Sequence, residues 1–455
     1  MVAIIRKYCD TDTDIPWSST GDINSFAHST ARKRWPVILQ AAIEDVKETL
    51  VTKSGATKDE GEVIVREMTN VKDECVADAA LTPLDDDNSS DIHDFNREIE
   101  VLGRPTWLNS PWLFSESYMY RRLQIIFAKS TYWKDYDIFK RQKDSTFLKS
   151  GAAVKELTLR YLNLVKEMKG AKNMSEDARK LLFTEMVEIS LWGNATDLSL
   201  LTNLSLEDIQ SLQGKEAIKN SQKNIVVNDT DAVWKLMKDV KGGQIDVVLD
   251  NAGFELFADL IFIAYLLASG IASTVILRPK NFGWFVSDVT PVDIESLFSM
   301  LRDPKSFDCD AESRRALDTL AAELEGHYRA GRIAVRVDAF WTTAHPFWRL
   351  PVLDSAAELY EALKNSDLVI YKGDLNYRKL TSDAHWAKTT PFVDAIGPMG
   401  RGSGLRTLAL RTCKADVCVG LPSEDKEREL LEADGKAWTF NGKYAVISYF
   451  DGKAK

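Results

Sequence analysis

The chain has 455 residues, 45% of them hydrophobic and 28% charged, an ordinary globular mixture with room for two or three domains at roughly 150 residues each. Its 58 Lys and Arg against 68 Asp and Glu give a formal net charge of -10 and a pI near 5.3, which argues against a surface built to neutralise a nucleic-acid backbone. An anionic metabolite stays admissible, provided that a metal ion or a few basic side chains reverse the field inside one pocket.

The first segment, Met1 to Trp17, carries charges throughout and lacks the apolar stretch of a signal peptide. From Trp35 to about Gly214 apolar residues recur at three and four, which predicts an N-terminal all-helical domain over residues 1–220. The acidic stretch Asp85 to Asp94 lacks EF-hand spacing and reads as an exposed loop. From about Asn224 the texture changes to short β-branched runs alternating with helical stretches. Strands are expected at Ile245 to Leu249, Thr274 to Leu277, Ile333 to Val337, Asp367 to Tyr371 and Ala445 to Tyr449, with helical crossovers such as Phe254 to Ser269. This predicts an α/β fold, a three-layer α/β/α sandwich with a mostly parallel sheet, over residues 221–455. The longest apolar run, Leu260 to Leu267 with its flanks, is shorter than the about 20 residues of a bilayer span. Cys9, Cys75, Cys309, Cys413 and Cys418 form no CxxC pair, so neither structural zinc nor a disulfide framework is expected. A cytoplasmic or nuclear location, with no membrane and no nucleic-acid partner, fits these features.

The first strand with chemistry at its end is Ile245 to Leu249, followed by Asp250, Asn251, Gly253 and Glu255. Ligands of open parallel sheets sit beyond the carboxyl ends of strands, where adjacent oxygen donors suit a divalent ion. A helix N-cap is the alternative use of an Asp-Asn pair. Asp288 follows the next strand in the same way, and Gly373-Asp374-Leu375-Asn376-Tyr377 follows a third, with a glycine turn and helix start suited to phosphate oxygens. Lys414, at the end of the late strand Leu408 to Asp416, would offer a positive charge to a phosphate. The glycine-rich run Gly397 to Gly404 lacks the ending of a P-loop and reads as a loop. His345 reads as loop structure, and the 12 tryptophans as core packing.

At these residues the sequence resembles the damage-control metal phosphatases, also described as acidic-residue methyltransferase-like proteins, in the subfamily marked by an Arg-Thr-x-Lys motif. Here that motif is Arg411-Thr412-Cys413-Lys414. The likeness extends to Asp250-Asn251-Ala252-Gly253-Phe254-Glu255, Trp284 to Asp288, Phe340 to Thr343, Gly373 to Tyr377, Pro111 to Glu116 and Leu191 to Asp197. The resemblance implies a helical domain on an α/β/α domain, one divalent ion (manganese, cobalt, nickel or magnesium) and hydrolysis of small sugar phosphates. Fructose 1-phosphate and fructose 6-phosphate are the substrates associated with fungal relatives. By position, Asp250, Asn251 and Asp288 would bind metal. Asp250, Asn251, Glu255, Asp288, Gly373 to Tyr377 and Lys414 would bind substrate, with Asp250, Asp288 and Lys414 catalytic. Asn194 and Asp197 would close the pocket from the helical side. Arg278 and Gly283 depart from the family pattern, which more often has His and Pro there.

The expected mechanism is metal-assisted attack of water, with Asp250 as direct nucleophile the alternative. The acid two positions on that marks aspartyl-phosphate enzymes is missing, since residue 252 is Ala. Two other functions stay open: a carboxyl methyltransferase using S-adenosylmethionine, for which no GxGxG turn is present, and a non-catalytic scaffold that only binds sugar phosphates.

Overall fold

The computed structural model describes residues 7–170, 174–193 and 222–454; Asn194 and Asp197 lie outside them. Seven strands form one sheet in the order β1-β7-β6-β5-β2-β3-β4. They are β1 (Ile225–Asn228), β2 (Gly243–Val248), β3 (Ala272–Arg278), β4 (Ile333–Val335), β5 (Leu368–Lys372), β6 (Arg406–Thr412) and β7 (Ala445–Asp451). The five strands from β6 to β4 run parallel. β7 is antiparallel to β6, and β1 runs with β7. The mostly parallel α/β sheet anticipated from the β-branched runs is therefore present. β5 is buried at every position, as expected where helices or loops cover both faces of a sheet.

Parallel strands deliver all their carboxyl ends to one edge. Asp250 leaves β2 there, Gly373 leaves β5 and Lys414 leaves β6, while Asp288 is brought back from the β3 side by an antiparallel bridge to Asn251. The helix Phe254–Ala268 that follows β2 is apolar on all sides and buried from Glu255 to Leu267, the pattern of a helix enclosed by other elements. It shares one core with the helices Gly151–Gly170 and Glu176–Trp192. The earlier helices, Phe26–Leu50 to Trp112–Ala128, build a second core that takes in Trp284 and Leu375 from the sheet half. Site loops are thus packed into the helical half, not laid beside it.

The acidic stretch from Asp85 is a largely exposed loop as far as Ser90, but some of its acids turn inward. A helix begins at Asp91, and Asp87 and Asp91 both clamp the buried Arg121, at 2.8 and 2.7 Å. Asp94 accepts from Tyr8 and pairs with His345. His345 is indeed structural: its other ring nitrogen meets Arg349, and burial lowers its pKa. Arg349 in turn holds Asp12 at 2.6 Å and Glu98 at 2.8 Å, all three buried. Arg349→Met leaves two buried carboxylates without their cation and is expected to cost about 3–5 kcal/mol. Urea unfolding monitored by tryptophan fluorescence reads this directly, and a loss under about 1 kcal/mol, the scale of an exposed pair, would show the network to be dispensable.

Candidate active-site cleft

A cleft of about 1070 Å³ opens over the carboxyl edge of the sheet. Its inner wall carries Asp250, Asn251, Glu255, Asp288, Asp374 and Lys414. The facing wall comes from the helical half and includes Arg34, Trp112, Glu116 and Tyr120.

Local geometry decides against the capping use of the strand-end acids. The helix Phe254–Ala268 has Gly253 at its N-cap with φ 77°, and no side chain caps it. The helix Pro291–Arg302 is capped by Thr290 with Asp293, leaving Asp288 unused. Asp374 lies inside its own helix, Gly373–Leu380. These carboxylates are not consumed by helix ends, where Asp otherwise has its commonest turn role.

They converge instead. Asn251 donates Nδ2 to Asp250 at 2.7 Å and to Glu255 at 2.8 Å, and its Oδ1 accepts from Ser287. Val289 donates its N–H to the Asp250 carbonyl at 2.8 Å, which ties the β2 exit to the Asp288 loop. That loop contains Phe285 and Val286 at φ 43° and 70°. Left-handed backbone at a β-branched residue costs on the order of 1–3 kcal/mol, and such strain gathers where geometry matters for function.

The charge balance of this corner is unusual. Burial, then the charges of Glu255 and Asp288, push Asp250 well above the ordinary carboxylate range. Burial raises Asp288 to about 6 against the pull of Lys280, and Asp259 to about 7. Two buried lysines offset part of this. Lys280 stands 3.1 Å from Asp288 and donates to the Leu249 carbonyl at 2.8 Å. Lys372 stands 3.1 Å from Asp259 and 3.7 Å from Glu255. A third, Lys143, from the helical half, is 3.4 Å from the Asp288 carbonyl and pairs with Asp293 at 2.6 Å.

The other anticipated residues divide. Gly373 is not on the wall; it stands directly behind Asp250, with φ 80° and no room for a Cβ. Asp374 and Leu375 line the cleft. Asp374 accepts from Arg411 at 2.7 Å and from the Lys414 N–H at 3.0 Å, so it shapes the Arg-Thr-x-Lys turn and brings Lys414 to the wall. Asn376 and Tyr377 do not reach the cleft. Asn376 donates to the carbonyls of Val248, Leu249 and Lys372, and Tyr377 takes the Val419 N–H on its hydroxyl at 3.1 Å. Both splice β5 to its neighbours. Arg278 turns away from the site to pair with Asp246 at 2.6 Å. Glu116, Tyr120, Lys280, Lys372 and Arg378 were not anticipated as site residues; of these, Glu116 had a signal, as the end of the Pro111 to Glu116 likeness.

The donor set suits a hard or borderline divalent ion. Two carboxylates and one amide oxygen with a lone pair to spare are oxygen ligands of the right kind, although Asp288 Oδ2 already has the Lys280 ammonium beside it at 3.1 Å. Among the described residues no group of three or more His, Cys, Asp and Glu forms a metal cluster, so the third donor would have to be Asn251. A raised acid pKa means that the folded state holds its proton more tightly than the unfolded state. The stability it contributes is then present below 3.8, the ordinary aspartate value, and lost as pH rises through the folded values of about 6 and 7. A cation bound at Asp250 and Asp288 opposes the part of that loss that belongs to Asp288. The gain in melting temperature from Mn²⁺ over chelator should accordingly be small at about pH 5 and grow towards about pH 8. A gain independent of pH would remove these acids from the cation site.

Buried acids and a lysine around one strand-end cleft of an α/β fold are groups suited to stabilising charge on a bound ligand. Residues 30–430 match the model of the damage-control phosphatase ARMT1-like domain. The chain is 33% identical to mouse (Mus musculus) damage-control phosphatase ARMT1, over 95% of this chain and 98% of that protein. It is 32% identical to the zebrafish (Danio rerio) protein of the same name, over 93% and 94%, and 30% identical to the human (Homo sapiens) one, over 96% and 98%. The chain belongs to the damage-control phosphatase ARMT1-like family and is a phosphatase. A duf89 family protein from Pyrococcus horikoshii superposes with a TM-score of 0.40 at 15% identity, over 93% of this chain and 97% of that one, too loosely to bear on the site.

Proposed function

We propose that the chain is a divalent-metal-dependent phosphomonoesterase of small sugar phosphates, of the fructose 1-phosphate or fructose 6-phosphate type, working in the cytoplasm. The observation that carries this reading is the meeting of Asp250, Asn251 and Asp288 at one end of a cleft whose wall also holds Lys414. Asp250, Asn251 and Asp288 would hold manganese, cobalt, nickel or magnesium. When bound, the ion supplies Lewis-acid stabilisation of the phosphoryl oxygens and activates water for in-line attack.

The chain's own groups do the remaining work. Lys414, held at the wall through its backbone bond to Asp374, places positive charge beside the phosphoryl group, the kind of fixed stabilisation that phosphoryl transfer needs most. Glu255 and Asp250 together hold the Asn251 amide through its Nδ2, and its Oδ1, which accepts from Ser287, keeps a second lone pair for a ligand. Buried Lys280 and Lys372 keep the acid cluster from repelling a phosphate dianion. Among the described residues no helix is long and apolar enough to cross a membrane.

Phosphate release from a panel of sugar, nucleotide and alkyl phosphates, run with each of the four metals and with chelator, tests the reading. Chelator-sensitive turnover favouring hexose monophosphates is expected; no release from any ester in any metal would end it. Rapid-quench labelling distinguishes water from Asp250 as nucleophile, since only the latter leaves a phospho-aspartate.

A further inference from the structure

Besides the acids around Asp250, the cleft is lined by a second set of polar groups. Arg378, on the helix Gly373–Leu380, is 3% exposed and lines the cleft. Its guanidinium lies 3.6 Å from the ring centroid of Trp112, flat on an aromatic surface as arginine favours. Nη2 donates to Asp383 at 3.0 Å and Nη1 reaches Glu116 only at 3.4 Å. Nε is buried and has no hydrogen-bond partner. Glu116, 6% exposed, accepts from Trp35 Nε1 at 3.2 Å through one oxygen and offers the other to the long contact with Arg378. A guanidinium has five N–H donors in a fixed fork, and leaving one unpaired in the interior costs about 1–3 kcal/mol. A fork under-used in this way at the wall of a cleft has donors to spare for a ligand.

The surrounding charge says which ligand. Glu116 lines the cleft beside Arg378, with Arg34 also on the wall, so the guanidinium here stands next to a carboxylate. A phosphate placed beside Glu116 would meet a carboxylate. A hydroxyl would not be repelled: it donates to a carboxylate and accepts from a guanidinium at the same time, and an aromatic wall accommodates the C–H face of a sugar. Glu116, Arg378, Tyr120 and Asp288 line the same cleft, so one molecule bound in it can meet both sets of groups.

We propose that Glu116 and Arg378 form a polyol subsite, binding the sugar hydroxyls of a substrate whose ester is held at Asp250, Asn251, Asp288 and Lys414. This rests on the sugar-phosphate reading above and adds the residues that select for the sugar. Glu116 comes from the helical half and Arg378, like Asp250, from the sheet half, so the subsite joins the two parts of the chain.

The test compares fructose 1-phosphate with ethyl phosphate, an ester without hydroxyls, in the full chain with Mn²⁺. Calorimetry gives the ratio of the two affinities, and kinetics gives the ratio of the two kcat/KM values. Glu116→Gln keeps the size of the side chain and an acceptor for Trp35, and Arg378→Lys keeps the charge while losing the fork. Each is expected to lower both ratios about 10-fold or more, as losing a hydrogen bond to a charged group does, with KM for the sugar ester rising more than kcat falls. Ratios unchanged in both variants, a wild type that does not distinguish the two esters, or an equal loss on both esters would overturn the subsite. A wild type that binds fructose 1-phosphate selectively through Glu116 yet releases no phosphate would overturn the phosphatase reading and leave the subsite standing.

Discussion

Asp250→Asn is expected to lower metal-dependent phosphate release by about 10³-fold or more, since a metal's charge stabilisation is worth several kcal/mol and each 1.4 kcal/mol is about tenfold in rate. The same substitution should leave the metal-free protein as stable as the wild type, or more so. Asp250 is buried among Glu255 and Asp288, and its own charge is what that environment resists most. Removing the charge without changing the shape relieves repulsion, so activity and stability move in opposite directions. This pairing separates the two uses of the residue. Asn serves as well as Asp in capping a helix, so a capping role predicts full activity in the variant. Measured turnover, melting temperature in chelator and the Mn²⁺-induced shift decide it; activity retained within a few-fold would remove Asp250 from the centre of the reaction.

The strand-end acids were legible because a parallel strand announces itself. Ile245 to Leu249 is a β-branched run that ends on an acid and an amide, and β2 does end there. The direction of β7 was not legible. Ala445 to Tyr449 reads the same whether the strand runs with or against its neighbours, since orientation depends on the path of the preceding connection and not on the residues of the strand. The inward-facing part of the acidic stretch from Asp85 was not legible, for a related reason. Nothing near it in sequence signals Arg121, which is 34 residues from Asp87, and an acid clamped by a distant arginine looks, locally, like an acid in solvent.

The buried lysines hid in the same way. Lys280 and Lys372 each close a strand, where a lysine is ordinarily solvated, yet both are 1% exposed. Their burial is compelled by the acids around them, which come from β2, the helix after it and the Asp288 loop together. The facing wall was the least legible part: Glu116 meets Arg378 across 262 residues of sequence, and no periodicity encodes such a contact. Local sequence therefore located the strand-end acids and Lys414, and left out the buried lysines and the facing wall that surround them.

Gly373→Ala should cost activity far beyond its effect on folding. At φ 80° any L-residue is strained, and a Cβ built there meets Asp250 Oδ2 at 1.8 Å. Strain alone is the fate of any glycine in this conformation, and Gly331 provides the comparison: φ is 70° and nothing lies within 4 Å. Gly331→Ala is expected to lose roughly 1 kcal/mol and keep its turnover. Gly373→Ala bears the same backbone penalty and in addition drives the Asp250 carboxylate off its position. A displacement of about 1 Å at a reacting or ligand-holding group costs on the order of 10²-fold in rate. Both alanine variants are measured for urea stability and for chelator-sensitive phosphate release. Equal activity in the two would mean that Asp250 yields to the methyl group without consequence, and that the close packing of β5 behind β2 does not set the geometry of the site. The expected split instead makes Gly373 the residue through which the sheet aims Asp250: a position that binds nothing itself, and where the absence of a side chain allows the carboxylate to stand where Asn251 and Asp288 can share a ligand with it.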